Sequence, residues 1–234
     1  MGGDLRPMTK LYHMCVKALL GVRGTTSNDL CLVELGLPDL PSLVRAKQRA
    51  FFKKIQEQRR GMVDDPLNHA MQLTLNARTP TSRHLHALLQ GQAGDEERSL
   101  AATVATIVQN PRESTRLQWY SSINTNYDVH DIYLKDSEVN ELHRVSWTRL
   151  RLSSHSLAIE QGRWNRRGRG RLPVEERLCT CGQVQTEHHV IEACPRTEHL
   201  RVQHRYTTVT QLMNIRDNKL LCKICHNILQ VYTH

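Results

Sequence analysis

Three cysteines and two histidines lie close together near the carboxyl end of the chain, in the stretch RLCTCGQVQTEHHVIEACP, residues 177–195. Thiolate and imidazole are the ligands that zinc prefers, and structural zinc sites hold four of them in a tetrahedron. Cys179 and Cys181 precede Gly182, whose freedom at positive φ permits a tight turn that directs both sulfurs toward one ion. We therefore expect this stretch to bind Zn²⁺ as a structural ion.

His189 and Cys194 supply the remaining two ligands, in a segment that begins as a helical turn and ends before Pro195. His188 competes with His189, since only one of two adjacent imidazoles need point inward. We prefer His189, because His188 follows Glu187 on the expected polar side. The alternative is that the three thiols are ordinary intracellular cysteines, but three thiols and a histidine pair seldom lie so close by chance.

A second cysteine cluster, CKICH at Cys222–His226, has the Cys-x-x-Cys-His spacing of haem attachment and of a zinc-binding pair. Its thiols lie in a segment rich in Leu and Ile, where only His234 stands near as a further ligand. We expect both thiols to be buried, with an auxiliary metal site as the alternative and haem as the least favoured. Cys15 and Cys31 are isolated on apolar faces and are predicted to be core residues.

The most basic part of the chain directly precedes the metal stretch. Nine arginines lie from Arg144 to Arg177, against three glutamates. Arginines at this density favour phosphate contacts, and a tryptophan among them can stack on an unpaired base. The predicted nucleic-acid-binding residues are Arg149, Arg151, Arg163, Trp164, Arg166, Arg167, Arg169, Arg171 and Arg177. The alternatives are a solvated loop that only keeps the protein soluble, and a Trp164 that caps the core.

The charge of the whole chain also favours an anionic partner. The 234 residues carry 32 Lys and Arg against 23 Asp and Glu, a formal net charge of +9. No apolar run approaches the roughly 18 to 20 residues that span a bilayer, and the amino terminus lacks a secretory pattern. We expect an intracellular protein, nuclear or cytoplasmic, that binds RNA or DNA and no membrane. Phosphate contacts carry no sequence preference.

The elements that position these residues are predicted to be helices. Only 39% of residues are apolar and 5% aromatic, so the core must be lean and built on amphipathic elements. Apolar residues at helical spacing and turn residues at the ends predict helices over residues 8–24, 30–37, 41–60, 64–78, 80–92, 95–123 with a break at Pro111, 145–162 and 216–234. The expected fold class is mainly α, an irregular helical bundle with a small CCHC zinc-knuckle module near the carboxyl terminus.

Changes in composition divide this bundle into four predicted segments. The turn-rich stretch NTNYDVHDIYLKDSEVN suggests a hinge or linker at residues 126–143. A helical region, residues 1–125, precedes it. A basic zinc module, residues 144–205, and a carboxyl-terminal helix, residues 206–234, follow it.

Two stretches of the chain resemble the region carboxyl-terminal to the polymerase domain in non-LTR, LINE-like retrotransposon reverse transcriptases. The first is LLGVRGTTSNDLCLVELGLPDLPSLVRAKQRAFFKKI, residues 19–55, which is similar to the segment after the polymerase thumb. The second runs from VSWTRLRLSSHSLAIEQGRW through RLCTCG to EHHVIEACP, within residues 145–195, in the family's order. The resemblance implies that nearly the whole chain is such a tail, with residues 1–125 as a thumb-proximal connector.

The same resemblance implies a Cys-Cys-His-Cys zinc knuckle that binds nucleic acid. By motif position, its ligands are Cys179, Cys181, His189 and Cys194. One residue separates the first two cysteines here, where many members of the family have two. The implied partners are RNA or DNA and the rest of a reverse transcriptase polypeptide.

Catalytic residues of the parent family are not found in this sequence. A polymerase needs carboxylates that hold metal ions at a strand turn, whereas the adjacent pair Asp64 and Asp65 precedes a proline and is typical of a helix start. No cluster of Asp, Glu and Lys suggests an endonuclease. We predict a non-enzymatic nucleic-acid-binding tail fragment. The alternative is a structural or protein-interaction scaffold whose zinc site only stabilises the fold.

Overall fold

A computed structural model describes the chain outside residues 1–4, 59–65, 78, 80–81, 84, 88–94, 110–114, 135–137, 164–169 and 234. The described residues are mainly helical, and the extended backbone among them forms one isolated antiparallel bridge, between Leu178 and Val184. A cysteine and histidine cluster lies near the carboxyl end. The predicted fold class is therefore confirmed.

Helices account for most of the described residues. They are α1 Arg6–Leu20, α2 Asn28–Glu34, α3 Leu40–Gln58, α4 Pro66–Asn76, α5 Asp95–Gln109, α6 Thr115–Ile123, α7 Asp131–Leu134, α8 Glu141–Arg151, α9 Ala158–Gln161, α10 Glu198–His204, α11 Val209–Met213 and α12 Asn218–Gln230. Short 3₁₀ turns at Val174–Glu176 and Pro195–Thr197 and a π-helical turn at His189–Ala193 complete the set. The predicted break at Pro111, and most of the predicted helix over residues 80–92, lie outside the described residues.

The chain divides into two compact units. The first contains Met1–His13 and Leu37–Thr103, and the second contains Met14–Gly36 and Val104–His234. Within the first unit, the Asp39 carboxylate accepts hydrogen bonds from the Ser42 amide and hydroxyl, each at 2.9 Å, and so caps the start of α3. The predicted metal and arginine residues all belong to the second unit.

The predicted hinge at residues 126–143 is not a boundary between these units. Asn124, directly before it, donates from its side-chain amide to the Tyr120 hydroxyl and to the Asp128 carbonyl oxygen, at 3.0 and 3.1 Å. Tyr133, within it, donates to the buried carboxylate of Glu34 at 3.0 Å. Residues of this stretch are thus bound to the second unit by internal hydrogen bonds.

The core of the second unit forms where α8 packs against α12. Trp147 and Leu150 of α8 and Ile224 and Ile228 of α12 are all fully buried in one apolar cluster. The predicted separation between residues 144–205 and residues 206–234 is therefore absent, because both contribute to this core.

A buried ion pair joins α2 to α8. Arg151 donates from Nε and Nη2 to the two carboxylate oxygens of Glu34, at 2.7 and 3.0 Å. Tyr120 and Tyr133 donate their hydroxyl protons to the same carboxylate, at 2.7 and 3.0 Å. A buried carboxylate with this many donors is well satisfied, whereas loss of either charged partner would leave an uncompensated charge.

The helix predicted over residues 145–162 is broken in the structure. It ends at Arg151, and only one turn, α9, re-forms at Ala158–Gln161. Ser153 adopts a φ of +48° and donates to the Glu187 carboxylate at 2.7 Å, while Ser154 accepts a hydrogen bond from the Arg23 amide at 2.9 Å. Serine hydroxyls that find such partners compete with the helical backbone, and here they end the helix before the metal module begins.

Candidate metal centre

The first two cysteines lie on a tight turn closed by backbone hydrogen bonds. The Cys179 amide donates to the Gln183 carbonyl oxygen at 2.7 Å, and the Gly182 amide donates back to the Cys179 carbonyl oxygen at 2.9 Å. Gly182 has a φ of +88°, which side-chain-bearing residues rarely adopt. The turn that the glycine predicted is therefore present, and it carries Cys179 and Cys181 on one short loop.

The other two candidate ligands lie at the ends of the π-helical turn. The Cys194 amide donates to the His189 carbonyl oxygen at 2.8 Å, a hydrogen bond that spans five residues instead of the usual four. This wider turn accounts for the five-residue separation of the two ligands. His189 begins the turn, where its amide donates to the Thr186 hydroxyl at 3.0 Å.

These two elements bring four ligand atoms together. The Cys179, Cys181 and Cys194 sulfurs and a His189 ring nitrogen all lie within 4.8 Å of one another. The Cys179 and Cys194 sulfurs are 3.7 Å apart, and Cys181 Sγ lies 3.1 Å from His189 Nε2. Two sulfurs bound to one tetrahedral zinc ion at about 2.3 Å would lie about 3.8 Å apart. The four residues therefore fit one metal ion without rearrangement of the backbone.

The thiols of the cluster differ in their tendency to ionise. Burial opposes ionisation of Cys179, but hydrogen bonds from the Cys181 backbone amide, the His189 ring and the Cys181 thiol lower its pKa to about 6. Burial raises the pKa of Cys194. Thiolates are the form that binds metal, so this shift favours the metal-binding form of Cys179.

The structure distinguishes the two adjacent histidines. His189 faces the cluster, whereas the His188 side chain is exposed and packs edge-on against the Trp119 ring, with centroids 5.2 Å apart. Its Nδ1 lies 3.9 Å from a Glu192 carboxylate oxygen. The preference for His189 over His188 agrees with this geometry.

Two of the predicted nucleic-acid-binding arginines point into the protein. Arg151 is 3% exposed and is bound to Glu34, as described above. Arg177 is 4% exposed and donates to the carbonyl oxygens of Ile159 and Leu172. Their guanidinium groups are used inside the protein, so these two assignments as phosphate contacts are corrected.

The other predicted nucleic-acid-binding residues have different positions. Arg149 is exposed, and its Nε donates to the Gly21 carbonyl oxygen at 2.7 Å. Arg163 is bound to the buried Glu160 carboxylate at 2.6 Å, and Arg171 is exposed. Trp164, Arg166, Arg167 and Arg169 lie outside the described residues.

Arg177 links residues 177–185, which carry Cys179 and Cys181 and are called the metal turn below, to the backbone on either side of the arginine-rich segment, residues 163–171. The Leu172 amide, directly after the segment, donates to the carbonyl oxygen of Gly162, directly before it, at 2.9 Å. Arg177 donates to Leu172 at 2.6 Å on one side and to Ile159 at 2.9 Å on the other. No feature of the sequence separates Arg177 from its neighbours, so this anchoring role emerges only from the structure.

Close packing at Gly162 makes room for that arginine. A Cβ at this position would lie 2.6 Å from Arg177 Cγ, well inside van der Waals contact. Gln185, at the end of the metal turn, reinforces the same junction, because its side-chain oxygen accepts a hydrogen bond from the Ala158 amide at 2.6 Å. The base of the arginine-rich segment is thus built from residues of the metal turn.

The second cysteine cluster, Cys222–His226, lies on α12, and its cysteines form no group of metal ligands among the described residues. Cys222 and Cys225 are fully buried on α12, as predicted, and burial raises the pKa of Cys225. The His226 ring nitrogen Nδ1 instead lies 2.9 Å from the Ser146 hydroxyl. Among the described residues, neither cysteine belongs to a group of three or more possible metal ligands.

Comparison with known proteins does not identify the chain: no family model, no curated protein and no solved structure matches it. The resemblance to LINE-like reverse transcriptases therefore stays a prediction based on motif order. In the part of the chain that the structure describes, no helix has both the length and the apolar character needed to cross a bilayer.

Proposed function

We propose that the four clustered residues hold one structural Zn²⁺. Three sulfurs and one imidazole form a soft donor set that suits zinc in tetrahedral geometry, and the 3.7 Å distance between the Cys179 and Cys194 sulfurs supports that geometry. Four protein ligands leave no open coordination position for substrate or water. We therefore assign the ion a structural role and the chain a binding role, not a catalytic one.

The function that this site supports best is binding of RNA or DNA through the arginine-rich segment. The observation that carries the proposal is the junction at Arg177, since this one residue of the metal turn binds Leu172, directly after that segment, and Ile159, four residues before it. In this account zinc fixes the turn, the turn fixes the base of the segment, and the arginines supply affinity for phosphates. The net charge of +9 acts in the same direction.

We further propose that the chain is the tail of a LINE-like reverse transcriptase, acting in the nucleus or cytoplasm. The order of the two matching stretches, residues 19–55 and residues 145–195, supports this assignment. The rest of the reverse transcriptase polypeptide would then be its second partner. Such a tail would bind nucleic acid near a polymerase domain that supplies the chemistry.

A salt series on the zinc-loaded protein tests the proposal. Binding to labelled single-stranded RNA, single-stranded DNA and duplex DNA is measured by fluorescence anisotropy between about 50 and 200 mM salt, where several phosphate contacts cost orders of magnitude in affinity. Replacement of Arg166, Arg167, Arg169 and Arg171 by Gln should abolish most of the binding. Zinc-loaded protein that binds none of the three would contradict the proposal and favour the scaffold.

A control variant tests whether binding depends on the arginine-rich segment or only on the net charge of the chain. Replacement of the α3 residues Arg45, Lys47, Lys53 and Lys54 by Gln, all exposed in the other unit, removes the same number of charges. This variant should retain most of the affinity. Equal losses in the two variants would show that net charge, and not the anchored segment, governs binding.

A further inference from the structure

Tyr232 lies against the metal-ligating cysteines although it is not a ligand. Its side chain is 6% exposed within the same apolar cluster as Cys179 and Cys194. The Tyr232 hydroxyl has no hydrogen-bond partner in the described part of the chain. The Cys194 thiol and the Thr197 hydroxyl lie at hydrogen-bonding range of it, without the geometry of a formed bond. A buried, unbonded hydroxyl therefore stands beside one of the four ligands.

Arg196 packs over the Tyr232 ring. The guanidinium carbon lies 5.0 Å from the centre of the ring, and Nη2 donates to the Val231 carbonyl oxygen at 2.5 Å. Nη1 lies 3.5 Å from the hydroxyl of Thr180, the residue between the first two cysteines. Arg196 thus connects the carboxyl-terminal residues to the turn that carries Cys179 and Cys181.

We propose that Tyr232 is a positioning residue of the metal site, whose hydroxyl donates a hydrogen bond to the Cys194 sulfur when that sulfur is a metal-bound thiolate. The inference rests on the proposed zinc site and extends it to residues outside the 177–195 stretch. A neutral thiol is a weak acceptor for this hydroxyl. A thiolate is a stronger acceptor, because hydrogen bonds to ionised groups are shorter and stronger than neutral ones.

The same proposal assigns Arg196 the role of orienting Tyr232. By holding the phenol ring against the core and binding the Val231 carbonyl oxygen, it keeps the hydroxyl directed at Cys194. Groups that orient metal ligands in this way typically contribute 10- to 100-fold to metal affinity. The metal site then depends on α12 and the residues after it, through contacts that the ligand motif does not contain.

The test compares Tyr232→Phe with Tyr206→Phe. Tyr206 is a matched control, because it is also a buried phenol without a hydrogen-bond partner among the described residues, but it lies near Cys225. Zinc affinity is measured by competition with a chelator, and the sulfur-to-metal charge-transfer bands are recorded on the Co²⁺-substituted protein. We expect Tyr232→Phe to lower zinc affinity about tenfold or more and to shift the cobalt bands. Tyr206→Phe should change neither.

The stability of the metal-free variants gives an independent measurement. Removal of an unbonded hydroxyl should leave both metal-free variants at least as stable as the parent chain, so the defect of Tyr232→Phe should appear only with metal bound. Arg196→Lys, which keeps the charge but loses the two-sided hydrogen bonding, should also weaken zinc binding. The proposal is overturned if Tyr232→Phe binds metal with the affinity and cobalt spectrum of the parent. Absence of metal from the parent protein itself would instead overturn the proposed function.

Discussion

Two regions of this protein contain similar clusters of cysteine and histidine, yet among the described residues only one of them brings four possible metal ligands together. In the stretch of residues 177–195, four ligand atoms lie within 4.8 Å of one another. In Cys222–His226, both thiols are buried in the core and the histidine turns to Ser146. The types of residue are the same in the two regions, so the backbone that carries them must account for the difference.

The backbone explanation is specific in each region. The regular helix α12 places Cys222 and Cys225, three residues apart, on one inward face, and gives them apolar neighbours instead of a second pair of ligands. The metal stretch uses a glycine-dependent turn at Gly182 and a π-helical turn that begins at His189, which together direct four side chains at one point. Burial raises the pKa of Cys225, whereas hydrogen bonds lower that of Cys179 to about 6.

The largest expected effect is the loss of zinc when a cysteine of residues 177–195 is removed, compared with removal of a cysteine on α12. Cys194→Ser should reduce bound zinc from one ion per chain to nearly none, because it removes a fully buried ligand sulfur. Structural zinc contributes roughly 10 to 16 kcal/mol of apparent binding energy in small zinc peptides, so metal-dependent stability should be lost as well. Cys225→Ala is the control and should retain one zinc. Elemental analysis after dialysis decides the outcome, and equal zinc content in the two variants would refute the ligand set.

If the fold determines the role of each arginine, substitution of a buried arginine should affect stability far more than substitution of an exposed one. Arg151→Met breaks a buried ion pair and leaves Glu34 uncompensated, which should lower the free energy of unfolding by about 3 to 5 kcal/mol. Arg171→Gln, at an exposed position, should change it by less than about 0.5 kcal/mol. Urea denaturation measures both. A small effect of Arg151→Met would contradict the structural role assigned to Arg151.

A smaller effect is expected at the junction between the metal turn and the arginine-rich segment. Gly162→Ala introduces a Cβ that would lie 2.6 Å from Arg177 Cγ, so the arginine must move and weaken its hydrogen bonds. We expect a loss of about 1 to 3 kcal/mol in stability, typical of overpacking, together with weaker nucleic-acid binding. Gly24→Ala, where nothing lies within 4 Å of the added carbon, is the control. Unchanged binding in Gly162→Ala would show that the junction does not position the segment.

A pH dependence is expected in the metal-free protein, from the single thiol of Cys179. The pKa of Cys179 falls from its ordinary value of 9.0 to about 6 on folding, so the folded chain holds fewer protons than the unfolded chain between these values. The free energy of unfolding should therefore rise as pH increases from 6 to 9, and this contribution should be lost as pH falls through 6. Cys179→Ala, studied by denaturation at several pH values, should flatten that rise. An unchanged slope would contradict the assignment.

The clustering of the four candidate ligands could be predicted from the sequence because all four lie within sixteen residues, Cys179 to Cys194, where spacing and a glycine turn limit the geometry. The helical class could be predicted for a similar reason, since apolar periodicity is a local property. The Glu34–Arg151 ion pair could not, because its partners are 117 positions apart and nothing local links them. That long-range contact is also why Arg151 was mistaken for a phosphate contact.

The measurement that tests the central claim most directly is X-ray absorption at the zinc edge of the purified, zinc-loaded protein. The account predicts one zinc ion with three sulfur ligands at about 2.3 Å and one nitrogen at about 2.0 to 2.1 Å, supplied by Cys179, Cys181, Cys194 and His189. A shell of nitrogen and oxygen alone, or a protein that retains no zinc, would contradict it.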